Sequence, residues 1–580
     1  MNNIENIRHS LAHLLAASVL KKYKTAKLGI GPSIENGFYY DIQFKNPIAE
    51  ADLAEFEKEI KNLIAQKLEF KGEKITPLKA KKLFAGQKFK LDLIKEFSKD
   101  KKDLTIYKTG EVFTDLCKGG HVKNTSEINP EAFKLTHTAG AYWRGDEKNP
   151  QLTRIYGLAF ESKEELENYI KQQEEAKKRD HKILGPQLDL FFIDEKIGKG
   201  LPLWTPKGTA VKFELASFAR ELERKYGYEH VETPYLGAEE LYRTSGHLDH
   251  YSSNMYAPIN MDGGKFYLRP MACPHHIRMY QRKQWSYKEL PIRYAEIADY
   301  NRYEKSGELM GMIRVRKFQL TDGHIFIAPE GLKEEFKNVC NMISEGIKGL
   351  GLLDIVSYRF SKRDPKNKEK YFKDDKLWNH AESIMKEALD ELGLKYIEAE
   401  DEAAFYGPKL DVQAKNINGK EDTLFTAQID FLLPQKFEIE YIDQDGQKKR
   451  PVMIHRSTIG CLERTFGFLI EHYAGAFPLW LSPVQARILP ISEKFSSYAN
   501  ELKSELLKNN IRADFPEPNE TLGKRIRAGE MEKIPLLIIM GEKEVTAKTL
   551  TMRRHSDKSQ KEMTISELIS LIQKEVKEKK

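Results

Sequence analysis

The chain has 580 residues, 40% hydrophobic and 31% charged, with a formal net charge of +7. That length exceeds what one hydrophobic core organises, so three or four domains are expected. Four scattered cysteines without a C-x-x-C pair exclude a disulfide framework. No apolar run reaches the length of a membrane span, and the polar start without a signal peptide is read as cytoplasmic.

Residues 1–160 read as a first unit. Residues 7–20 have helical periodicity and carry His9 and His13 one turn apart on one face. Residues 29–41 read as glycine-punctuated strands and turns. The stretch T-D-L-C-K-G-G-H (114–121) adds Cys117 and His121 at the same spacing of four. H-x-x-x-H with C-x-x-x-H is a donor set of metal-ligand type. Residues 161–183 are rich in Glu, Lys and Gln and read as a solvated helix stopped by Gly185-Pro186, so 161–185 is taken as a linker.

Residues 186–480 read as a second unit. A helix over 209–226 is followed by a strand and V-E-T-P (231–234). Residues 301–326 read as two antiparallel strands with a long connection. Arg302 and Glu304 share a face, Gly307 and Gly311 punctuate the connection, and Ile313, Val315 and Lys317 alternate with Arg314, Arg316 and Phe318. The guanidiniums match phosphate oxygens with a planar fork, and Phe318 offers a ring to a flat base. Residues 354–393 are charged and read as mostly helical. Residues 404–411 and 425–431 read as strands with polar residues on one face. His455 then ends a strand, and a helix carries Glu463 and Arg464.

Residues 481–580 alternate in type. Strands are expected over 486–491, 511–515, 535–540 and 549–554, with helices over 494–509, 521–533 and the terminus. That is a small α/β domain. It carries 19 Lys and Arg against 15 Asp and Glu, over half of the chain's excess positive charge, which suits a nucleic-acid partner.

R-x-E, a loop, then R-x-R-x-F (302–318) resembles motif 2 of class II aminoacyl-tRNA synthetases. M-A-C-P (271–274), D-G-H-I-F (322–326), V-M-I-H-R (452–456) and G-x-x-E-R (460–464) narrow the resemblance to threonyl-tRNA synthetases of bacterial type without the N-terminal ubiquitin-like domain. It runs from His9 to about Arg553. It implies an α+β multidomain chain: an α/β editing domain, a class II antiparallel-sheet catalytic core and a C-terminal α/β anticodon-binding domain. The 209–234 segment resembles motif 1, the dimer element, so a homodimer is implied.

The activity implied is that of a threonine–tRNA ligase. ATP with Mg2+ activates L-threonine to the adenylate, the threonyl group passes to the 3' end of threonine tRNA, and mischarged seryl-tRNA is hydrolysed. By resemblance, Arg302 bridges carboxylate and α-phosphate, Glu304 meets the adenine edge, Phe318 stacks the adenine, and Arg314 and Arg464 hold the outer phosphates. Asp322, Tyr406, Lys409 and Gln428 complete the substrate contacts. Cys273, His324 and His455 are the implied ligands of one Zn2+, an open three-ligand site that threonine chelates through amine and hydroxyl. Valine lacks the hydroxyl. Serine lacks only a methyl, worth about 1–3 kcal/mol, which explains an editing domain on the same chain.

With Y-W-R-G-D (142–146), residues 1–160 resemble the editing domain shared with alanyl-tRNA editing hydrolases. His9, His13, Cys117 and His121 are the implied editing quartet, with Asp115 and Lys90 binding the tRNA end. The hydrolases hold zinc on this quartet and the synthetases are read as metal-free. Both stay open here, with the metal-free reading preferred. Asn519, Arg527, Glu544 and Arg553 match the family's anticodon contacts. Four departures bear on fine substrate contacts: Asn301, Tyr303, His275 beside His276, and Leu320 where a glutamine is usual. A non-catalytic RNA-binding or amino-acid-sensing paralogue would have lost Arg302, Arg464 or a zinc ligand. Ligation of another amino acid, as by seryl or prolyl enzymes, conflicts with the Cys273, His324, His455 trio.

Overall fold

The computed structural model describes residues 3–99 and 104–580. They form two compact units that divide between Glu174 and Glu175, inside the expected linker.

In the first unit, the Asn3–Lys22 helix buries residues on nearly every face, His13 among them. Leu11, Leu14, Leu15 and Val19 pack with Phe38, Tyr40 and Ile42 of the Gly37–Gln43 strand. That strand sits in an antiparallel sheet beside Gln151–Ala159, which in turn pairs with Phe133–Tyr142. A separate three-stranded meander, Phe70–Lys74, Thr105–Thr109 and Phe113–Leu116, ends just before Cys117.

The second unit is built on an eight-stranded sheet. Its order is Glu229–His230, Ile292–Asn301, Lys317–Ile327, Val452–Cys461, Glu421–Asp430, Lys409–Lys415, Val356–Ser361, Tyr396–Ala399. All neighbours are antiparallel except the two edge pairs. The Pro206–Lys225 and Leu332–Gly349 helices cover one face, burying Leu215, Leu222, Phe336 and Ile343 against Ile325 and Ile454. Val452–Cys461 is buried at every position, as befits a central strand. The last hundred residues form a five-stranded sheet. Ala513–Asp514, Ala486–Pro490 and Leu536–Met540 run parallel, and Thr549–Arg554 and Gln560–Thr564 follow antiparallel. Arg512 pairs with Glu214, and Lys207 lies 2.9 Å from Glu532, so residues 481–580 pack into the same unit as the large sheet. No helix among the described residues is long and apolar enough to cross a membrane.

Several expectations are corrected. The linker is two helices, Lys163–Arg179 and His181–Gln187. Asp180 caps the second through the Lys182 N–H, and Pro186 lies within that helix rather than stopping it. Arg302 and Glu304 lie past the end of the Ile292–Asn301 strand, and Ile313 to Arg316 belong to the connection, since Arg302 keeps only its N–H bond to Arg316. Charge suggested helix over 354–393, but Val356–Ser361 is a strand between Lys409–Lys415 and Tyr396–Ala399, and only Asp375–Glu391 is helical. In 404–411 the strand begins at Lys409. The Glu542–Ala547 helix and Gln560–Thr564 strand were missed, being short and polar.

Candidate active site, editing site and anticodon surface

His324 and His455 stand directly opposite each other on neighbouring strands. Opposed residues of a ladder bring their side chains into contact, and the two rings meet edge to face at 4.8 Å. Cys273 opens the Cys273–Tyr280 helix, and its Sγ lies within 4.8 Å of a nitrogen of each ring. All three side chains are buried. One nitrogen of each imidazole is already tied: His455 Nε2 to Asp430 at 2.8 Å, and His324 Nδ1 to His276 at 2.8 Å. His276 continues to Glu296 at 3.0 Å, and Glu296 accepts from Arg269 and Thr233. Outer partners of this kind fix the tautomer and orientation of a metal-binding imidazole. Burial pushes the Glu296 carboxyl up, but hydrogen bonds from His276 and Arg269 overcome it and hold it at about 2. Burial, reinforced by the Asp322 and Asp430 carboxylates, pushes the Cys273 thiol well above its ordinary value, and burial beside His276, His455 and Arg456 pushes His324 well below its own. Two imidazoles and a thiol that a cation can deprotonate fit a soft divalent metal.

The cleft over this trio is lined by Arg302, Glu304, Arg314, Phe318, Leu320, Asp322, Tyr406, Gln428 and Arg464. The strand bulges here: Leu320 faces Cys461 while Asp322 faces Ser457. Gly460 in the bulge has φ 74°, and a Cβ there would meet the Leu424 carbonyl at 2.2 Å, so glycine is required. Arg302 lies 5.1 Å over the Phe318 ring and donates to the Pro270 carbonyl at 3.3 Å. Arg464 donates to the carbonyls of Ile313 and Thr423 at 3.1 and 2.7 Å. Arg314 grips Glu304 through Nε at 2.9 Å and Nη2 at 2.7 Å. Tyr406 stacks on His455 and donates to Gln428, whose amide reaches Thr426. Asp322 accepts from the Tyr300 hydroxyl. Lys409 stands opposite Gln428, but its ammonium turns to Asp411 at 2.7 Å and does not line the cleft.

Among the departures, Leu320 packs beside Phe318, Val315 and Cys461, making that part of the cleft wall apolar. His275 turns to the Leu236 carbonyl at 3.3 Å, and burial lowers it to about 4. Tyr303 is exposed. The Asn301 N–H donates to the Arg269 carbonyl at 3.1 Å.

In the first unit, His9, His13, Cys117 and His121 converge as expected, with one donor atom of each within 4.8 Å. Cys117 Sγ lies 3.5 Å from His9 and 3.2 Å from His121, and the Gly119 N–H points to it at 3.3 Å. Burial raises the thiol to about 11 and lowers all three imidazoles, His13 and His121 further through mutual repulsion with their neighbours. The quartet is therefore neutral, a set of proton acceptors and donors around a small space. Beneath it Lys90 meets Asp115 at 2.5 Å with both side chains buried. Asp115 also accepts from the Tyr40 hydroxyl and lies 3.9 Å from His13. Tyr40 went unnoticed in the sequence because nothing in G-F-Y-Y-D separates it from core aromatics.

In the last domain Asn519 and Arg527 are exposed, flanking and within the Leu522–Met531 helix. Glu544 accepts from the Gly541 N–H and from Thr551. Arg553 is steadied by Glu530 at 3.3 Å.

Comparison with known proteins matches three segments of the chain. The profile of the tRNA synthetase class II core domain (G, H, P, S and T) matches residues 256–473, and that of the anticodon binding domain matches 485–575. The threonyl and alanyl tRNA synthetase second additional domain matches 104–156. The threonine–tRNA ligase of Anoxybacillus flavithermus is 46% identical over 577 residues, 99% of this chain and 89% of that protein. The chain belongs to the threonine–tRNA ligase family. Another threonine–tRNA ligase, from Staphylococcus aureus, is 45% identical over 579 residues, 100% of this chain and 89% of that protein. Among solved structures, a threonyl-tRNA synthetase RNA-binding domain from Cryptosporidium parvum aligns with a TM-score of 0.64 at 33% identity, covering 68% of this chain and 98% of that one. A putative threonyl-tRNA synthetase from Aeropyrum pernix aligns at 0.61 and 26%, covering 69% and 96%. The ligase family and the order of its domains thus agree with the motifs read from the sequence.

Proposed function

We propose that this ligase activates L-threonine with ATP, transfers it to threonine tRNA and hydrolyses mischarged seryl-tRNA. The observation that carries the reading is the convergence of Cys273, His324 and His455 with Arg302 and Arg464 in one cleft. The first step is attack of the threonine carboxylate on the α-phosphate, which needs placement and charge neutralisation rather than an enzyme nucleophile. Arg302 bridges the two reacting groups. Arg314 and Arg464 take the outer phosphates once Arg314 leaves Glu304, and Mg2+ would accompany the ATP. Glu304 is then free to accept from the adenine amine while Phe318 supports the base. Cys273, His324 and His455 would hold Zn2+, which supplies coordination for the threonine amine and hydroxyl. Asp322, Tyr406 and Gln428 surround that amino acid, and Lys409 would join only by leaving Asp411.

In editing, a neutral imidazole of the His9, His13, His121 group takes a proton from water as it attacks the seryl ester, and returns it to the ribose oxygen that leaves as the acyl C–O bond breaks. Lys90 and Asp115, expected to bind the tRNA end, are buried in an ion pair instead and keep the quartet in place. Asn519, Arg527, Glu544 and Arg553 read the anticodon. We place the working domains at 1–160, 186–480 and 481–580 about a linker at 161–185, and read the enzyme as a cytoplasmic homodimer.

Pyrophosphate exchange into ATP is expected with threonine and, more weakly, with serine. Equal or better exchange with proline or alanine would sink the reading. Arg553→Ala is expected to weaken threonine-tRNA charging by about tenfold, the worth of one base-reading contact, with threonine activation unchanged. Loss of both would mean a folding defect.

A further inference from the structure

A third cluster, Asp180, His181 and Glu471, lies outside the sites above, with donor atoms within 4.8 Å. Its hydrogen bonds argue against a metal, because both ring nitrogens of His181 are spent. Nδ1 lies 2.6 Å from Glu471 Oε1, and Nε2 lies 3.1 Å from the backbone nitrogen of Met312. A backbone N–H can only donate, so Nε2 is bare and the proton sits on Nδ1, donated to the carboxylate. Both side chains are buried. Buried groups so paired hold a single arrangement, since breaking either bond strands a polar atom.

Met312 belongs to the connection that carries Arg314. Residues 310 and 314 bond each other through both backbones, at 3.1 and 3.2 Å, so they close a small rigid turn. Gly311 in that turn has φ 50°, and a Cβ there would lie 2.2 Å from His181 Nε2. The turn therefore rests directly on the imidazole. From the other side Arg464 holds the Ile313 carbonyl at 3.1 Å. Glu471 and Arg464 share the Leu462–His472 helix, so one helix grips the turn directly and again through His181.

We propose that His181 is a positioning residue for nucleotide binding. It pins the 310–314 turn through the Met312 N–H and so sets where the Arg314 guanidinium meets the ATP phosphates. The inference rests on the role given to Arg314 above.

Two amide substitutions separate the two ends of the ring. In His181→Asn the amide reaches Glu471, as Nδ1 does, but leaves Met312 without an acceptor. In His181→Gln an amide oxygen reaches the position of Nε2 and keeps that acceptor. In pyrophosphate exchange with the full chain, His181→Asn is expected to raise KM for ATP about tenfold and leave KM for threonine within about twofold. His181→Gln is expected to keep both within about threefold of the parent. The opposite pattern, Asn normal and Gln impaired, would assign His181 to Glu471 alone and overturn the proposal. So would equal rises in both KM values with a lowered Tm in both variants. Arg314→Ala distinguishes the underlying reading: an unchanged KM for ATP there refutes the role of Arg314 and the proposal with it. A raised value there beside a normal His181→Asn refutes only the His181 clamp.

Discussion

Cys273→Ala is expected to lose bound zinc and threonine activation together, with exchange activity falling on the order of a thousandfold or more. The thiol, His324 and His455 form the one group in the cleft, among the described residues, whose donor atoms all lie close enough to share a metal ion. With two imidazoles left, the site keeps too few ligands to hold Zn2+ with an open position. Groups built to grip a substrate hydroxyl contribute about 10⁴ to discrimination, so most of the threonine preference should vanish with the metal. Metal analysis of the purified chain, run beside pyrophosphate exchange, checks both halves. Cys340→Ala is the control. That thiol is buried in the main core and burial alone raises it to about 12. It should cost some stability as a small cavity and neither metal nor activity. Zinc-free parent protein with full activity would dismiss the metal.

The motif residues were legible because each lies in a short contiguous pattern. Arg302 and Glu304, Glu463 and Arg464, and His9 and His13 stood out because their local patterns resemble the family's motifs, and His324 and His455 were picked out by that resemblance alone. What the sequence hides is everything set by register and packing. That His276 links His324 to Glu296 depends on a helix lying against two strands. That Asp430 reaches His455 depends on one antiparallel pairing. His181 and Glu471 are 290 residues apart, and no local pattern joins them. The helix predicted over 354–393 failed for a related reason. Val356–Ser361 is an inner strand of only six residues with one partly exposed charge, Arg359, so its period is masked. Leu320 shows the limit of resemblance: the departure was visible in the sequence, but its effect, an apolar wall beside Phe318, needed the packing.

Lys90→Met is expected to unsettle the first unit and abolish clearance of seryl-tRNA while leaving threonine activation intact. Lys90 and Asp115 form an ion pair 2.5 Å apart with about 2% and 4% of their side chains exposed. Tyr40 donates to the same carboxylate and lies 3.0 Å from the ammonium, so three polar side chains satisfy one another in the interior. Taking away one partner strands the other, at a cost of roughly 3–5 kcal/mol. For a unit of this size that corresponds to a fall in Tm of about 10 °C. Hydrogen exchange should localise the loosening to the Asn3–Lys22 helix and the Phe113–Leu116 strand, which bring His9, His13 and Asp115 together. Lys90→Met with Asp115→Asn removes both charges, and replacing a whole buried pair is often close to neutral. The double variant should therefore regain most of the lost stability. It should not regain editing if the Asp115 carboxylate, 3.9 Å from His13, orients that imidazole. Cys117→Ala, by contrast, should lower clearance with little change in melting, because the thiol is only half-buried at the rim of the quartet. A Lys90→Met protein that melts and clears seryl-tRNA like its parent would show that the pair supports neither the fold of this unit nor its chemistry.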